Sequence, residues 1–348
     1  MKLIKSNKNI IPFCIATFLF IIVGINVNAS DENATFNINP IIPNNQYNKS
    51  NTYIDILYTP GSRQNIQFKV SNSNNNKETI NVEANDATTS NGLVIDYSNS
   101  NNKLVNNPKF SNLLNGHHSQ KIILNAKESK IVTFSLNMPQ NRFKGIILGG
   151  ISAYIDDDNN KTSSGSGVNF SNKFVFANPV VLRNEKGHVI PNIKFIDAKQ
   201  ESYSYTPSIM STLINKKRNF INDVKTKTTI KDSNDKVITT NQTDMGSIAP
   251  SSEFKLPTPL NNTLRNGEYI VIGEMTGNNG QKWNWKHKFT VTDSNSNIVE
   301  KNILKQPDPL KRFKKIIFIL LLFISITIIL IIILILLLFK KKKKNNEK

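Results

Sequence analysis

The sequence predicts an all-β chain: two immunoglobulin-like β-sandwich domains in tandem, followed by a single C-terminal transmembrane helix. Three observations carry this reading. Short stretches with apolar residues at every second position recur between Asn-, Ser- and Gly-rich turns from Phe36 to Val291, the pattern of half-buried antiparallel strands. No helical spacing of apolar residues persists between Ser30 and Leu310, so no amphipathic helix is expected there. Ile316 to Phe339 is an unbroken apolar run in which only Ser325 and Thr327 are polar. As a helix it rises about 36 Å, enough to cross a hydrocarbon core of about 30 Å.

The first element in chain order is a signal sequence over residues 1–29. Lys2, Lys5 and Lys8 precede the apolar stretch Ile10 to Ile25, and Val27-Asn28-Ala29 puts small residues where a signal peptidase cuts. An uncleaved signal anchor is the competing reading of the same pattern.

The first sandwich is expected over residues 30–185. Tyr53 to Tyr58 ends at the turn pair Pro60-Gly61, and Asn65 to Val70 puts Ile66, Phe68 and Val70 on one face. Ile80 to Ala84, Leu93 to Tyr97, Lys121 to Leu124 and Ile131 to Leu136 read as further strands. Phe143 to Tyr154 is the most apolar run of the part expected outside the membrane. It reads as a central strand whose glycines mark a bulge or a close approach of another backbone. A loop over Asp156 to Gly167 and a strand over Phe174 to Leu182 close the domain. Arg183 to Pro191, with Gly187, reads as a hinge.

The second sandwich is expected over residues 186–295. Its strands are Ile193 to Asp197, Ile209 to Ile214, Val224 to Ile230, Lys236 to Thr240, Ser247 to Leu256, Glu268 to Met275 and Trp283 to Val291. A polar tether covers 296–315, the apolar helix 316–339, and a basic cytoplasmic tail 340–348. Lysines 340–344 form a stop-transfer cuff, but Lys311, Arg312, Lys314 and Lys315 on the other flank balance it. The signal sequence therefore sets the orientation, with the sandwiches outside the membrane.

The formal net charge of +19 belongs mostly to the membrane flanks. Thirteen basic residues and one acidic residue lie outside 30–310, leaving 31 basic and 24 acidic residues inside, a net +7. No basic groove pattern indicates nucleic acid. The only cysteine, Cys14, lies in the signal sequence, so the exported part has neither thiol nor disulfide and depends on its apolar cores.

The residues also carry a family likeness. In the first domain the matching stretches are Phe36-Asn37-Ile38, Pro43-Asn44-Asn45-Gln46, Tyr53 to Tyr58 with Pro60-Gly61, Ala87 to Gly92, and Phe143 to Ile151. In the second they are Pro191 to Phe195, Ile248 to Phe254, Gly267-Glu268-Tyr269, and Trp283 with Phe289-Thr290. On these the chain resembles the WxL-interacting proteins of the Gram-positive cell surface. The resemblance implies an N-terminal peptidoglycan-binding domain and a C-terminal domain that contacts host ligands, such as those of the extracellular matrix. It also implies WxL-type wall proteins as partners. Neither Trp283 nor Trp285 is followed two residues later by Leu, so the chain resembles the membrane-held partner of such proteins.

No constellation points to catalysis, a cofactor or a metal. Adjacent residues of an extended segment point to opposite sides, so His117 and His118 form no pre-aligned pair, and His188 and His287 stand alone. Asp156-Asp157-Asp158 lacks the spacing and distal Glu of a calcium loop. Gly165-Ser166-Gly167 is no nucleophile elbow, and Gly145 to Gly150 lacks the Lys and Ser/Thr of a phosphate loop. Trp283 and Trp285, on one strand face, and Asn45 and Gln46, in a turn, are the partner-binding candidates. The expected function is therefore non-enzymatic adhesion at the cell membrane, partly through exposed sheet edges. The alternatives are a chaperone-like assembly factor and a wall hydrolase or transferase.

Overall fold

A computed structural model describes residues 34–98, 103–155, 174–303 and 311–346. The expected signal sequence, the loop over Asp156 to Gly167 with its acidic run, and residues 304–310 of the tether lie outside the described residues.

The first sandwich comprises β1 (Phe36–Ile41), β2 (Ile54–Leu57), β3 (Arg63–Asn72), β4 (Glu78–Asp86), β5 (Thr88–Thr89), β6 (Ile95–Asp96), β7 (Ser119–Leu124), β8 (Ser129–Asn137), β9 (Ile147–Ile155) and β10 (Val175–Arg183). One sheet has the order β1-β3-β8 and the other β2-β10-β9-β4-β7, while β5 and β6 form a short ribbon. Among the described strands only β2 and β10 pair in parallel, with Arg183 opposite Leu57. The alternation behaves as expected: Ile66, Phe68 and Val70 of β3 meet Val132, Phe134 and Leu136 of β8 in the core. Burial of each such side chain contributes about 1.5–3 kcal/mol.

Strand β9 is mostly apolar because both its faces are covered. Ile147, Ile151 and Ala153 enter the main core, while Ile146 and Leu148 pack with Ala87, Val181, Ile95, Tyr97 and Phe220 on the other side. A Cβ on Gly149 would collide with the Phe110 ring, and one on Gly150 with the Tyr97 ring. The close approach expected at these glycines is thus made by aromatic side chains.

The second sandwich comprises β11 (Ile193–Tyr203), β12 (Thr206–Asn215), β13 (Lys225–Asp232), β14 (Val237–Thr243), β15 (Glu253–Pro259), β16 (Gly267–Thr276) and β17 (Lys282–Val291). Its sheets are β11-β12-β15 and β14-β13-β16-β17. Strand β11 runs six residues beyond the expected Asp197, past a register shift between Phe195 and Asp197. It turns back through Ser204 and Tyr205, both with positive φ, as a two-residue hairpin of this hand requires.

Two helices follow: α1 (Asp293–Ile303) and α2 (Lys311–Asn346). The expectation of no amphipathic helix before Leu310 fails at α1, which overlaps the start of the tether expected over 296–315. This helix packs on β11 and β12 through buried Ser296 and Val299, and the Ser296 hydroxyl donates to Leu264 O at 2.8 Å. Its stripe toward the sheet is narrow and partly polar, so it left no apolar helical period to read. Within α2, Ile317–Phe339 is long and apolar enough to cross a membrane, and none of it is buried against the rest of the chain.

The sandwiches are joined by backbone pairing. Ile146 N–H donates to Arg218 O at 2.8 Å, Ser247 N–H to Leu93 O at 2.7 Å, Val105 N–H to Ser251 O at 2.8 Å and Glu253 N–H to Lys103 O at 2.9 Å. Leu93, expected in a first-domain strand, has a φ of 57° and packs in the second domain's core beside Leu213, Ile248 and Phe254. Gly145, at φ 92°, lies so close to the Arg218 backbone that no Cβ fits. The angle between the domains is therefore set by this joint, and the 183–191 segment is not a free hinge.

The seams between sheets are closed by side chains. Gln120 Nε2 and Lys130 Nζ tie β7 to β8 by donating to Thr133 O (2.9 Å) and Ile123 O (2.8 Å). Asn178 Nδ2 donates to Ile38 O at 3.1 Å, joining β10 to β1. Thr239 and Asn241 of β14 donate to Pro259 O and Pro257 O of β15. The fourth seam, β11 to β17, is filled by Phe195 stacked on His287 at 4.3 Å between ring centres. Some of the edge groups expected to accept a partner strand are thus taken up by the protein's own side chains.

Candidate functional site

The loop between β1 and β2 is shaped by Gln46. Its Nε2 donates to Tyr53 O at 2.8 Å and Asn48 O at 3.2 Å, and its Oε1 accepts the Asp55 N–H at 2.9 Å. Tyr47 N–H donates to Asp55 O at 2.6 Å, which extends the pairing along the outer edge of β2. One buried amide thus substitutes for a strand, satisfying backbone groups that burial would otherwise leave unpaired.

Beneath the loop, Arg183 at the end of β10 donates Nε to Asp55 Oδ1 at 2.8 Å, and Asn51 Nδ2 donates to Asp55 Oδ2 at 3.1 Å. Burial pushes the Asp55 carboxyl above the ordinary carboxylate range, outweighing the opposing pull of Arg183 and Asn51. The same guanidinium lies 4.4 Å from the centre of the Tyr47 ring, a cation–π contact that holds the ring in place. Tyr47 remains 40% exposed.

These residues border an open groove of about 640 Å³ lined by Asn45, Gln46, Tyr47, Asn48, Lys49, Leu57 and Lys186. The lining offers side-chain amides, one aromatic ring and two ammonium groups, and no carboxylate. Asn45 is exposed and donates to Gln64 Oε1 at 3.0 Å. Of the pair singled out by sequence, Asn45 therefore faces solvent, whereas Gln46 is a buried support for its neighbours. Sequence reasoning passed over Tyr47 and Arg183. The available signal was an aromatic residue within a run of amides, but its partner comes from a strand far along the chain.

The tryptophans belong to the second core. Trp285 is only 7% exposed and packs where Gly273 leaves no room for a Cβ. Trp283 is half-buried against the same cluster. They do not present a paired indole platform. His117, His118 and His188 are exposed, and among the described residues no group of three or more His, Cys, Asp or Glu is arranged to hold a metal ion.

Two of the stretches that carried the family likeness meet at the joint. The Thr89 amide donates to Ser252 Oγ at 2.9 Å, and the Ala249 amide donates to Thr89 Oγ1 at 2.9 Å. The segments 87–92 and 248–254 are thus complementary halves of one interdomain contact.

Comparison with known proteins agrees with this two-part construction. A family model described as "WxL Interacting Protein, peptidoglycan binding domain" matches residues 36–154, and "WxL Interacting Protein, host binding domain" matches 165–301. The chain belongs to the WxL-interacting protein family. The WxL-interacting family is one of binding domains rather than enzymes, and its peptidoglycan-binding domain implies a location at the cell surface. The second match runs to residue 301 and so takes in most of α1.

No curated protein matches the chain. Among solved structures, the class 5 fimbrial chaperone CfaA is similar at 16% identity and a TM-score of 0.28, covering 73% of this chain and 98% of that one. The E. coli chaperone DraB is similar at 12% identity and a TM-score of 0.27, covering 74% and 96%.

Proposed function

We propose that this WxL-interacting protein is a membrane-anchored, non-enzymatic component of the cell surface that binds peptidoglycan and WxL-type wall proteins, with its second domain directed at host ligands. The observation that carries the reading is the order of parts. A domain matched as peptidoglycan-binding precedes one matched as host-binding, and both precede a helix able to span a bilayer. The basic tail after that helix and the basic, apolar N-terminus support an outward-facing ectodomain. Thr89, Ser252 and the Arg218 backbone make the ectodomain a two-domain unit, so wall engagement by one domain orients the other.

Protease treatment of intact protoplasts tests the topology: the ectodomain is cleaved from outside, while a tag after Lys348 is protected until lysis. The reverse pattern overturns the orientation. Co-sedimentation of the detergent-solubilised full chain with purified sacculi, and capture of a WxL-type wall protein by it, test the two partners separately. A clearing zone on a peptidoglycan gel would overturn the non-enzymatic reading.

A further inference from the structure

We infer that the groove beside Tyr47 is the seat of peptidoglycan on this chain, holding an N-acetylated amino sugar of the glycan strand with a carboxylate of its peptide stem at Lys49 and Lys186. The inference rests on the peptidoglycan-binding reading of the first domain and assigns that activity to particular side chains. Sugars present apolar C–H faces, which stack on aromatic rings, and a rim of hydroxyl and acetamido groups, which pair with amides. The groove supplies both kinds of surface. Tyr47 offers a 40% exposed ring, and the amides of Asn45 and Asn48 lie in the surrounding lining, with Gln46 as the buried support beneath them.

The ring is also pre-positioned, which lowers the ordering cost of binding. Arg183 lies against it at 4.4 Å and is itself fixed at 2.8 Å on buried Asp55, while the Tyr47 amide is held on Asp55 O. The rest of the ring is left to the groove. Lys49 and Lys186 are the charged residues of the lining and are exposed. They suit the carboxylates that distinguish peptidoglycan from a neutral glycan.

Co-sedimentation of the full chain in detergent micelles with hydrofluoric-acid-stripped sacculi, which lack phosphodiester wall polymers, tests the assignment. Wild type is expected to bind saturably. Tyr47→Ala weakens binding about tenfold, Tyr47→Phe retains it, and the Lys49→Glu/Lys186→Glu double variant weakens it at least tenfold. Lys282→Glu, on the second sandwich, leaves it unchanged and controls for charge. The double variant alters only exposed side chains, so it serves even if Tyr47→Ala disturbs the loop. If wild type binds stripped sacculi and the Tyr47 and lysine variants bind equally well, the groove is not the seat. Binding that requires the phosphodiester polymers overturns the occupant. If wild type binds neither stripped nor unstripped sacculi, the peptidoglycan reading of the domain itself is what fails.

Discussion

The Thr89 backbone N–H donates to the Ser252 hydroxyl at 2.9 Å, and both residues are wholly buried where the two sandwiches meet. Thr89 returns a similar bond through its own hydroxyl, which accepts the Ala249 amide at 2.9 Å. Two short polar residues thereby satisfy backbone groups of both domains at a site closed to water.

Ser252→Ala removes the acceptor and leaves the Thr89 amide buried without that partner, a loss of about 1–3 kcal/mol. Thr89→Val does the same to the Ala249 amide. Chemical denaturation of each single variant and of the double variant is expected to show less than additive loss, since the residues share one network. Full additivity would mean the two bonds are independent.

Gly273→Ala places a methyl group inside the Trp285 indole. Overpacking of this kind costs about 1–3 kcal/mol. The displaced indole is expected to shift its fluorescence emission to longer wavelength as it gains solvent. An unchanged spectrum with unchanged stability would contradict the packing described.

Gln46→Ala deprives Tyr53 O and the Asp55 N–H of their side-chain partner. Two orphaned backbone groups cost about 3 kcal/mol. The expected outcome is a lower denaturation midpoint together with faster hydrogen exchange at the Tyr47 and Asp55 amides. Asn45→Ala, which loses only an exposed contact, should change stability by less than about 0.5 kcal/mol.

Burial pushes the Tyr97 phenol up to about 12, with a smaller contribution from Tyr53. A phenol in the unfolded chain titrates near 10. The folded state therefore holds this proton more tightly, so the stabilisation is complete below about pH 10 and disappears as the pH rises through about 12. Urea midpoints should fall across that window. Tyr97→Phe, which keeps the ring against Gly150 and removes the titrating group, should flatten the fall.

Much of the fold was legible because its strands bury one face. Ile66, Phe68 and Val70 report their own alternation, and the double burial of β9 shows in its unbroken apolar run. What escaped depends on distant partners or on backbone geometry that composition does not encode. Ser204 and Tyr205 adopt positive φ without the Gly or Asn that usually signals such a turn. Leu93 resembles the first residue of a strand, yet its side chain belongs to the neighbouring domain. In α1, Ser296 occupies a core-facing place as a polar residue, so the helical period was masked. At the groove, Asn45 was visible as an exposed turn residue. The importance of Tyr47 appears only once β10 brings Arg183 against it.

The capping of the seams by Lys130, Gln120, Asn178, Thr239 and Asn241 bears on life in a crowded envelope. Sheets with naked margins zip together into fibres when copies are packed at high density. Here five carbonyls along these margins already have donors from their own molecule, which makes edge-to-edge zipping of copies less favourable. Recognition seated in a loop, as proposed for the groove beside Tyr47, can then change without exposing a sheet edge.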